Sequence, residues 1–207
     1  MRIGLDFDNT IVCYNEAIAF LAEELFQLPP DLSRTKIGVR DFLRAAGREQ
    51  EWTAFQGELY GPGMDHAQPF EAAIATMQQL MAVGHELVII SHRSLRPYAG
   101  EPHDLHLAAR NWIADRLESV GLFCEDTDHP SVHFLETRDQ KVAMIGELGC
   151  AAFLDDLPEV LKAPCFPIDT YPILFSPSRE AHFTENGTNA LISDWCQLPQ
   201  LISALVL

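Results

Sequence analysis

The sequence predicts an α/β protein: a doubly wound parallel sheet with a small helical cap-like insertion after its first strand. Short apolar runs bounded by turn residues recur at residues 2–5, 85–91, 131–135, 151–154 and 173–175, with the texture of buried strands. Stretches of helical spacing separate them, and strands alternating with helices imply parallel pairing. Between the first two strands, residues 12–66 carry three helical patterns in a row, so the alternation is interrupted there. The expected division is a core of residues 1–11 and 67–207 and an insertion of residues 12–66 lying over the carboxyl edge of the sheet.

Composition narrows the function. At 207 residues the chain is one domain, or one domain with an insertion, and 47% hydrophobic residues supply a full core. Lys+Arg 14 against Asp+Glu 30 gives a net charge of -16. Such a surface repels phosphate backbones and anionic lipid, which argues against nucleic-acid or membrane binding as a main task. It also obliges an anionic substrate to meet local positive charge or a metal. Cys13, Cys124, Cys150, Cys165 and Cys196 are odd in number and lack Cys-x-x-Cys spacing, so neither a disulfide framework nor a zinc knuckle is suggested. No signal peptide fits the opening strand and no apolar run is long enough to span a bilayer, so the expected location is cytoplasmic.

The first strand ends in Asp6-Phe7-Asp8-Asn9-Thr10, two aspartates followed by a turn signal. A helix follows in which Tyr14, Ile18, Leu21, Leu25 and Leu28 recur at steps of four and three, until Pro29-Pro30 stops it. Helices at 39–46 and 49–60 carry Phe42, Leu43, Trp52, Phe55 and Leu59, which suit an insertion with its own core. A helix at 70–83 ends at Gly84 before the strand at 85–91. After a Pro- and Gly-rich loop, Asp104 caps a helix to about residue 120, and Asp126 and Asp128 read as turn residues. Residues 137–148 form the helix before the strand at 151–154, which ends in Asp155-Asp156. A short helix at 158–161, a strand at 173–175, a polar stretch at 176–188 and a last helix at 198–206 complete the chain.

In a doubly wound sheet, ligands bind beyond the carboxyl ends of the strands. Asp6, Asp8, Ser91, Asp155 and Asp156 stand at those ends, and Lys141 lies in the helix leading to the last pair. The chemistry they suit is phosphoryl transfer. Clustered carboxylates need a hard cation such as Mg²⁺. One carboxylate can attack phosphorus, and another two residues on can protonate the leaving oxygen and then activate water. A lysine and a hydroxyl can hold the non-bridging oxygens. Arg93, directly after Ser91-His92, is a candidate for a substrate anion at the cleft rim. His103-x-x-His106 lacks a third ligand and reads as a solvated loop.

Asp6-x-Asp8-x-Thr10, then Ser91, Lys141 and Asp155-Asp156, resemble in order and spacing the four motifs of the haloacid dehalogenase-like (HAD) hydrolases, over about residues 1–11 and 67–175. The resemblance implies a Rossmann-like core with a type-1 helical cap. It implies that Asp6 is the nucleophile, and that Asp8 is the general acid/base and lends its backbone carbonyl to Mg²⁺. Ser91 and Lys141, with Thr10 of the first motif, would bind the phosphoryl group. Asp155 would ligate Mg²⁺ together with Asp6 and Asp8, and Asp156 would support the metal's water shell. Asp8 argues against the dehalogenase branch. Asn9 stands where glycine is commoner. The resemblance implies a Mg²⁺-dependent phosphomonoesterase for a small phosphorylated metabolite. A 5′-nucleotidase is its nearest rival, and a phosphorylation-controlled signalling module is the rival from another class.

The insertion concentrates positive charge. Arg34, Lys36, Arg40, Arg44 and Arg48 are five of the 14 basic residues. One account is a solvated face paired with Asp41, Glu49 and Glu51. The other is a stripe that meets a second anionic group of the substrate.

Overall fold

The computed structural model describes residues 1–124, 131–177 and 190–205. The turn at Asp126 and Asp128, and the polar stretch beyond residue 177 up to 188, lie outside the described residues. The strands are β1 (Arg2–Leu5), β2 (Val12–Cys13), β3 (Gln68–Pro69), β4 (Glu86–His92), β5 (Val132–Leu135), β6 (Ala152–Asp155), β7 (Tyr171–Phe175) and β8 (Ala190–Ile192). The α-helices are α1 (Asn15–Leu25), α2 (Lys36–Ala45), α3 (Glu49–Tyr60), α4 (Ala73–Ala82), α5 (Leu105–Arg116), α6 (Arg138–Glu147), α7 (Pro158–Leu161) and α8 (Leu198–Leu205). Two compact units result. One comprises Met1–Val12, Pro69–His92 and Leu117–Leu207; the other comprises Cys13–Gln68 and Arg93–Arg116.

The first unit is a Rossmann-like parallel sheet in the order β5-β4-β1-β6-β7-β8, flanked by helices. The chain runs from β1 outward to β4 and β5, then returns across β1 to build β6, β7 and β8. The strand order therefore reverses beside β1, which sets the ligand-binding switch point there. The register aligns Leu5 with both Ile89 and Leu154, so β1 and β6 end within a residue of each other while β4 runs on to His92. Ile3, Leu5, Ile89, Ile90, Phe153 and Leu154 are fully buried, as expected for strands covered on both faces. A Cβ at Gly4 would collide with the Phe153 ring, so only glycine lets β6 approach β1 there. Val142 and Ile145 of α6 pack on Val88, Ile90 and Phe153.

Several boundaries differ from the periodicity, each for a local reason. The Phe70 amide is committed to the Ile11 carbonyl at 2.9 Å, and Ala72 takes a φ of 62°, so α4 begins at Ala73 rather than at 70. Phe26 is extended, with φ at -131°, and its ring turns onto Phe55, which ends α1 before the prolines are reached. The helix expected to run to 120 breaks after Arg116 and resumes as a 3₁₀ turn at Glu118–Val120. β8 is an addition: three residues pairing with β7.

The second unit packs α1, α2, α3, α5 and the 3₁₀ turn Pro62–His66 around Val39, Leu43, Trp52, Phe55, Leu59 and Met64, all buried. Trp52 stacks on Phe55 with ring centres 5.7 Å apart. Residues 93–116, which the alternation of strands and helices assigns to the core, belong to this unit. Trp112 of α5 donates its indole N–H to the Ala67 carbonyl at 3.0 Å, and the Arg93 guanidinium donates to the Tyr60 carbonyl at 3.1 Å. Among the described residues, no helix is long and apolar enough to cross a membrane.

Candidate active site

β1 delivers Asp6, whose amide donates to the Leu154 carbonyl at 2.9 Å, so the end of β1 is locked to the end of β6. The chain then turns. Ile11 and Val12 both donate to the Phe7 carbonyl at 3.0 Å, and Asn9 takes a φ of 58°. That left-handed position is one asparagine tolerates and other non-glycine residues resist, which accounts for Asn9 where glycine is commoner. Trp195 donates its indole N–H to the Thr10 carbonyl at 3.0 Å and pins the turn from 185 residues away.

α6 supplies the cation. Thr137 caps it by accepting from the Gln140 amide at 3.3 Å, and Gln140 accepts from the Thr137 amide at 3.1 Å. This capping box fixes the first turn, and Lys141 follows it directly into the core. Lys141 is fully buried; its Nζ lies 2.6 Å from Asp6 Oδ1 and 2.6 Å from Asp155 Oδ2. The first contact is a well-directed hydrogen bond, whereas the second is a close ion pair poorly aligned for one. Thr10 Oγ1 donates to Asp6 Oδ2 at 3.2 Å, and the Leu157 amide donates to Asp155 Oδ1 at 2.9 Å.

Burial works against the charge on Lys141, but Asp155 and Asp6 outweigh it and raise its pKa above the ordinary lysine value. For Asp155 the balance goes the other way. Burial pushes its carboxyl up to about 7, against the pull of Lys141 and with the help of Asp6. Oxygens of Asp6, Asp155 and Asp156 lie within 4.8 Å of one another. Three carboxyl groups, two of them buried, face one lysine, so the place can take up further positive charge. An all-oxygen donor set of this kind fits a hard divalent cation.

Of the residues singled out by sequence, Asp6, Thr10, Lys141, Asp155 and Asp156 therefore come together. Ser91, next to last in β4 on the strand paired with β1, is only 1% exposed, with no hydrogen-bond partner for its Oγ among the described residues. Asp8 is half-buried and its backbone bridges to Val12; its carboxylate is outside the acidic cluster, and Asp156 is inside it. Arg93 falls in the second unit, 6% exposed, its guanidinium 5.4 Å from the centre of the Tyr60 ring. His106 meets the Arg93 carbonyl at 2.7 Å and His103 meets Glu58 at 2.9 Å, so the two histidines serve separate partners. Arg40 pairs with Asp41, Arg44 with Glu49 and Arg48 with Glu51, the partners expected of a solvated face.

Sequence reasoning passed over one feature of the first unit. His92, Thr137, Arg138, Asp139 and Glu159 line a cavity of about 370 Å³ floored by Leu157 and Val160. Burial and then Lys141 lower the His92 pKa against Asp6 and Asp8. The only available signal was that Glu159 closely follows the Asp155-Asp156 pair.

This sheet order, with a helical unit entered after β1 and acidic residues at the switch point, is the HAD-like fold. Solved structures share it over nearly their full length. YfnB from Bacillus subtilis, solved with magnesium, has a TM-score of 0.60 at 15% identity, covering 97% of each chain. A HAD family hydrolase from Deinococcus radiodurans, with bound phosphate and sodium, has a TM-score of 0.56 at 15% identity, covering 99% of this chain and 96% of that one. A HAD phosphatase from Thermococcus onnurineus has a TM-score of 0.54 at 14% identity, covering 97% of each. In sequence, the chain is 23% identical over 217 residues to a Bacillus cereus protein named "Putative nucleotidase", covering 98% of both. No protein-family model matches the chain.

Proposed function

We propose that this protein is a Mg²⁺-dependent phosphomonoesterase that acts on a small phosphorylated metabolite through an aspartyl-phosphate on Asp6. The observation that carries the reading is the contact of Lys141 with Asp6 at 2.6 Å, beside Asp155 and Asp156 at the carboxyl edge. A buried lysine sets its ammonium against the Asp6 carboxylate, the group that would act as nucleophile. One Asp6 oxygen attacks phosphorus, and the bond to the leaving oxygen breaks as that oxygen takes a proton from Asp8. Asp8, now a carboxylate, takes a proton from the water that attacks the aspartyl-phosphate, which releases phosphate and restores Asp6. Lys141, Ser91 and Thr10 hold the phosphoryl oxygens as charge shifts among them. Asp6, Asp155 and Asp156, with the Asp8 carbonyl implied by the resemblance, would hold Mg²⁺, which supplies charge neutralisation at the phosphoryl group. We expect it to act in the cytoplasm.

The test is hydrolysis of 4-nitrophenyl phosphate with and without Mg²⁺, followed by mass spectrometry of the quenched protein. Metal-dependent turnover with phosphate on Asp6 is the expected result; turnover indifferent to Mg²⁺ or label on another residue refutes it. One observation favours the narrower reading of a 5′-nucleotidase, namely the full-length similarity to the Bacillus cereus protein. A panel of 5′-nucleotides beside other phosphomonoesters decides between the two.

A further inference from the structure

The cavity beside the acidic cluster belongs wholly to the first unit, and its walls are the segments that bear the chemistry. His92 follows Ser91, Arg138 stands one turn before Lys141, and Leu157 follows Asp156 and binds Asp155 through its amide. His92, in the cavity wall, lies close enough to Lys141, Asp6 and Asp8 to feel their charges, which puts the cavity next to the acidic cluster. We propose that this cavity receives the alcohol part of the phosphoester, and that it selects a neutral, hydroxyl-rich alcohol of sugar size. The inference rests on the phosphomonoesterase reading and adds the substrate class.

Three properties point to that class. About 370 Å³ is the lower end of the range for small-molecule sites, enough for a monosaccharide and little more. The rim mixes acceptors, the Asp139 and Glu159 carboxylates, with donors, the Arg138 guanidinium and the Thr137 hydroxyl; vicinal hydroxyls answer both kinds at once. Leu157 and Val160 offer an apolar floor for a C–H face. Charge excludes the alternative. Arg138 already lies 3.6 Å from Asp139, so with Glu159 the rim carries surplus negative charge and disfavours a second carboxylate or phosphate on the substrate.

The test compares ribose 5-phosphate, phosphoglycolate and 4-nitrophenyl phosphate in the full-length parent and in Glu159→Ala and Asp139→Ala. The parent should favour ribose 5-phosphate over phosphoglycolate by about tenfold in kcat/KM. Each variant should lower the ratio of kcat/KM for ribose 5-phosphate to that for 4-nitrophenyl phosphate, by about tenfold for Glu159→Ala, through KM rather than kcat. Calorimetric binding of ribose 5-phosphate should weaken in parallel, a readout that needs no turnover. If 4-nitrophenyl phosphate is turned over but the ratios and binding do not move, the cavity is not the subsite. If the parent takes phosphoglycolate as well as ribose 5-phosphate, the charge argument falls. If 4-nitrophenyl phosphate is not turned over, the phosphatase reading fails, and the binding comparison still decides whether the cavity holds a sugar.

Discussion

Two of the carboxylates that touch a cation, one in each unit, have pKa values that move in opposite directions. Glu49, on the solvated face of the second unit, is held below the ordinary carboxylate range by its hydrogen bond to Arg44. Asp155, in the core of the first, is pushed up to about 7 by burial although Lys141 touches it. The contacts are of similar length, 2.7 Å and 2.6 Å. The difference is solvent. In water the pair costs little to form and contributes little; in the interior, desolvation outweighs one partner and the site keeps an unmet demand for positive charge. The exposed pairs are surface chemistry, and the buried one leaves a demand for positive charge that a bound cation would meet.

The largest test of that contrast is catalytic. Asp6→Asn should cost at least about a thousandfold in turnover, because an amide cannot replace an ionised nucleophile. Loss within tenfold would sink the aspartyl-phosphate route. Next is stability. Lys141→Met leaves buried carboxylates without their cation and should destabilise the fold by about 3–5 kcal/mol in urea unfolding. A change below about 1 kcal/mol would mean that the interior is far wetter than the burial of Lys141 indicates.

The pH dependence should differ in sign between the regions. For Asp155, whose folded pKa is raised, the favourable contribution is fully present below the ordinary carboxylate range and is lost as pH rises through about 7. Metal-free protein should therefore lose stability over that window, Asp155→Asn should flatten the loss, and added Mg²⁺ should stabilise most above pH 7. A Mg²⁺ effect of equal size at acid pH would argue that Asp155 is not a ligand. For Glu49, whose pKa is lowered, the contribution is present above the ordinary range and lost as pH falls through it. The smallest effect belongs there: Arg44→Ala should leave the urea midpoint nearly unchanged, and high salt should erase what remains. A shift that survives salt would show that the arginine does more than cover a surface.

The contrast also explains what was legible in the sequence. Asp6, Lys141 and Asp155 could be found because each ends or follows a strongly patterned element, and strand ends in an alternating fold share an edge. The pairing of Arg44 with Glu49 could be found because charges five residues apart across a helix junction are local. What stayed hidden depended on distance or brevity. β8 is three residues, too short for any period to register. The assignment of residues 93–116 to the second unit depends on Trp112 reaching Ala67 and Arg93 reaching Tyr60, contacts no spacing rule encodes. The Trp195 bond to Thr10 spans 185 positions. That an Asp156 oxygen comes within 4.8 Å of Asp6 and Asp155 is likewise beyond the sequence, because adjacency along a strand end does not tell which carboxylate turns toward the cluster.

The central place of β1 has a consequence for how the molecule is made. Its partners are Glu86–Ile89 on one side and Ala152–Leu154 on the other, so β1 is made before either of them and must wait for both. Until β6 emerges, β1 has one bare edge, and until β4 emerges it has two; both pairings close long loops, which slows folding. An apolar strand with open edges is a template for wrong partners. The nascent chain should therefore depend on chaperones most before β6 is out, and a protein truncated ahead of Ala152 should aggregate rather than fold.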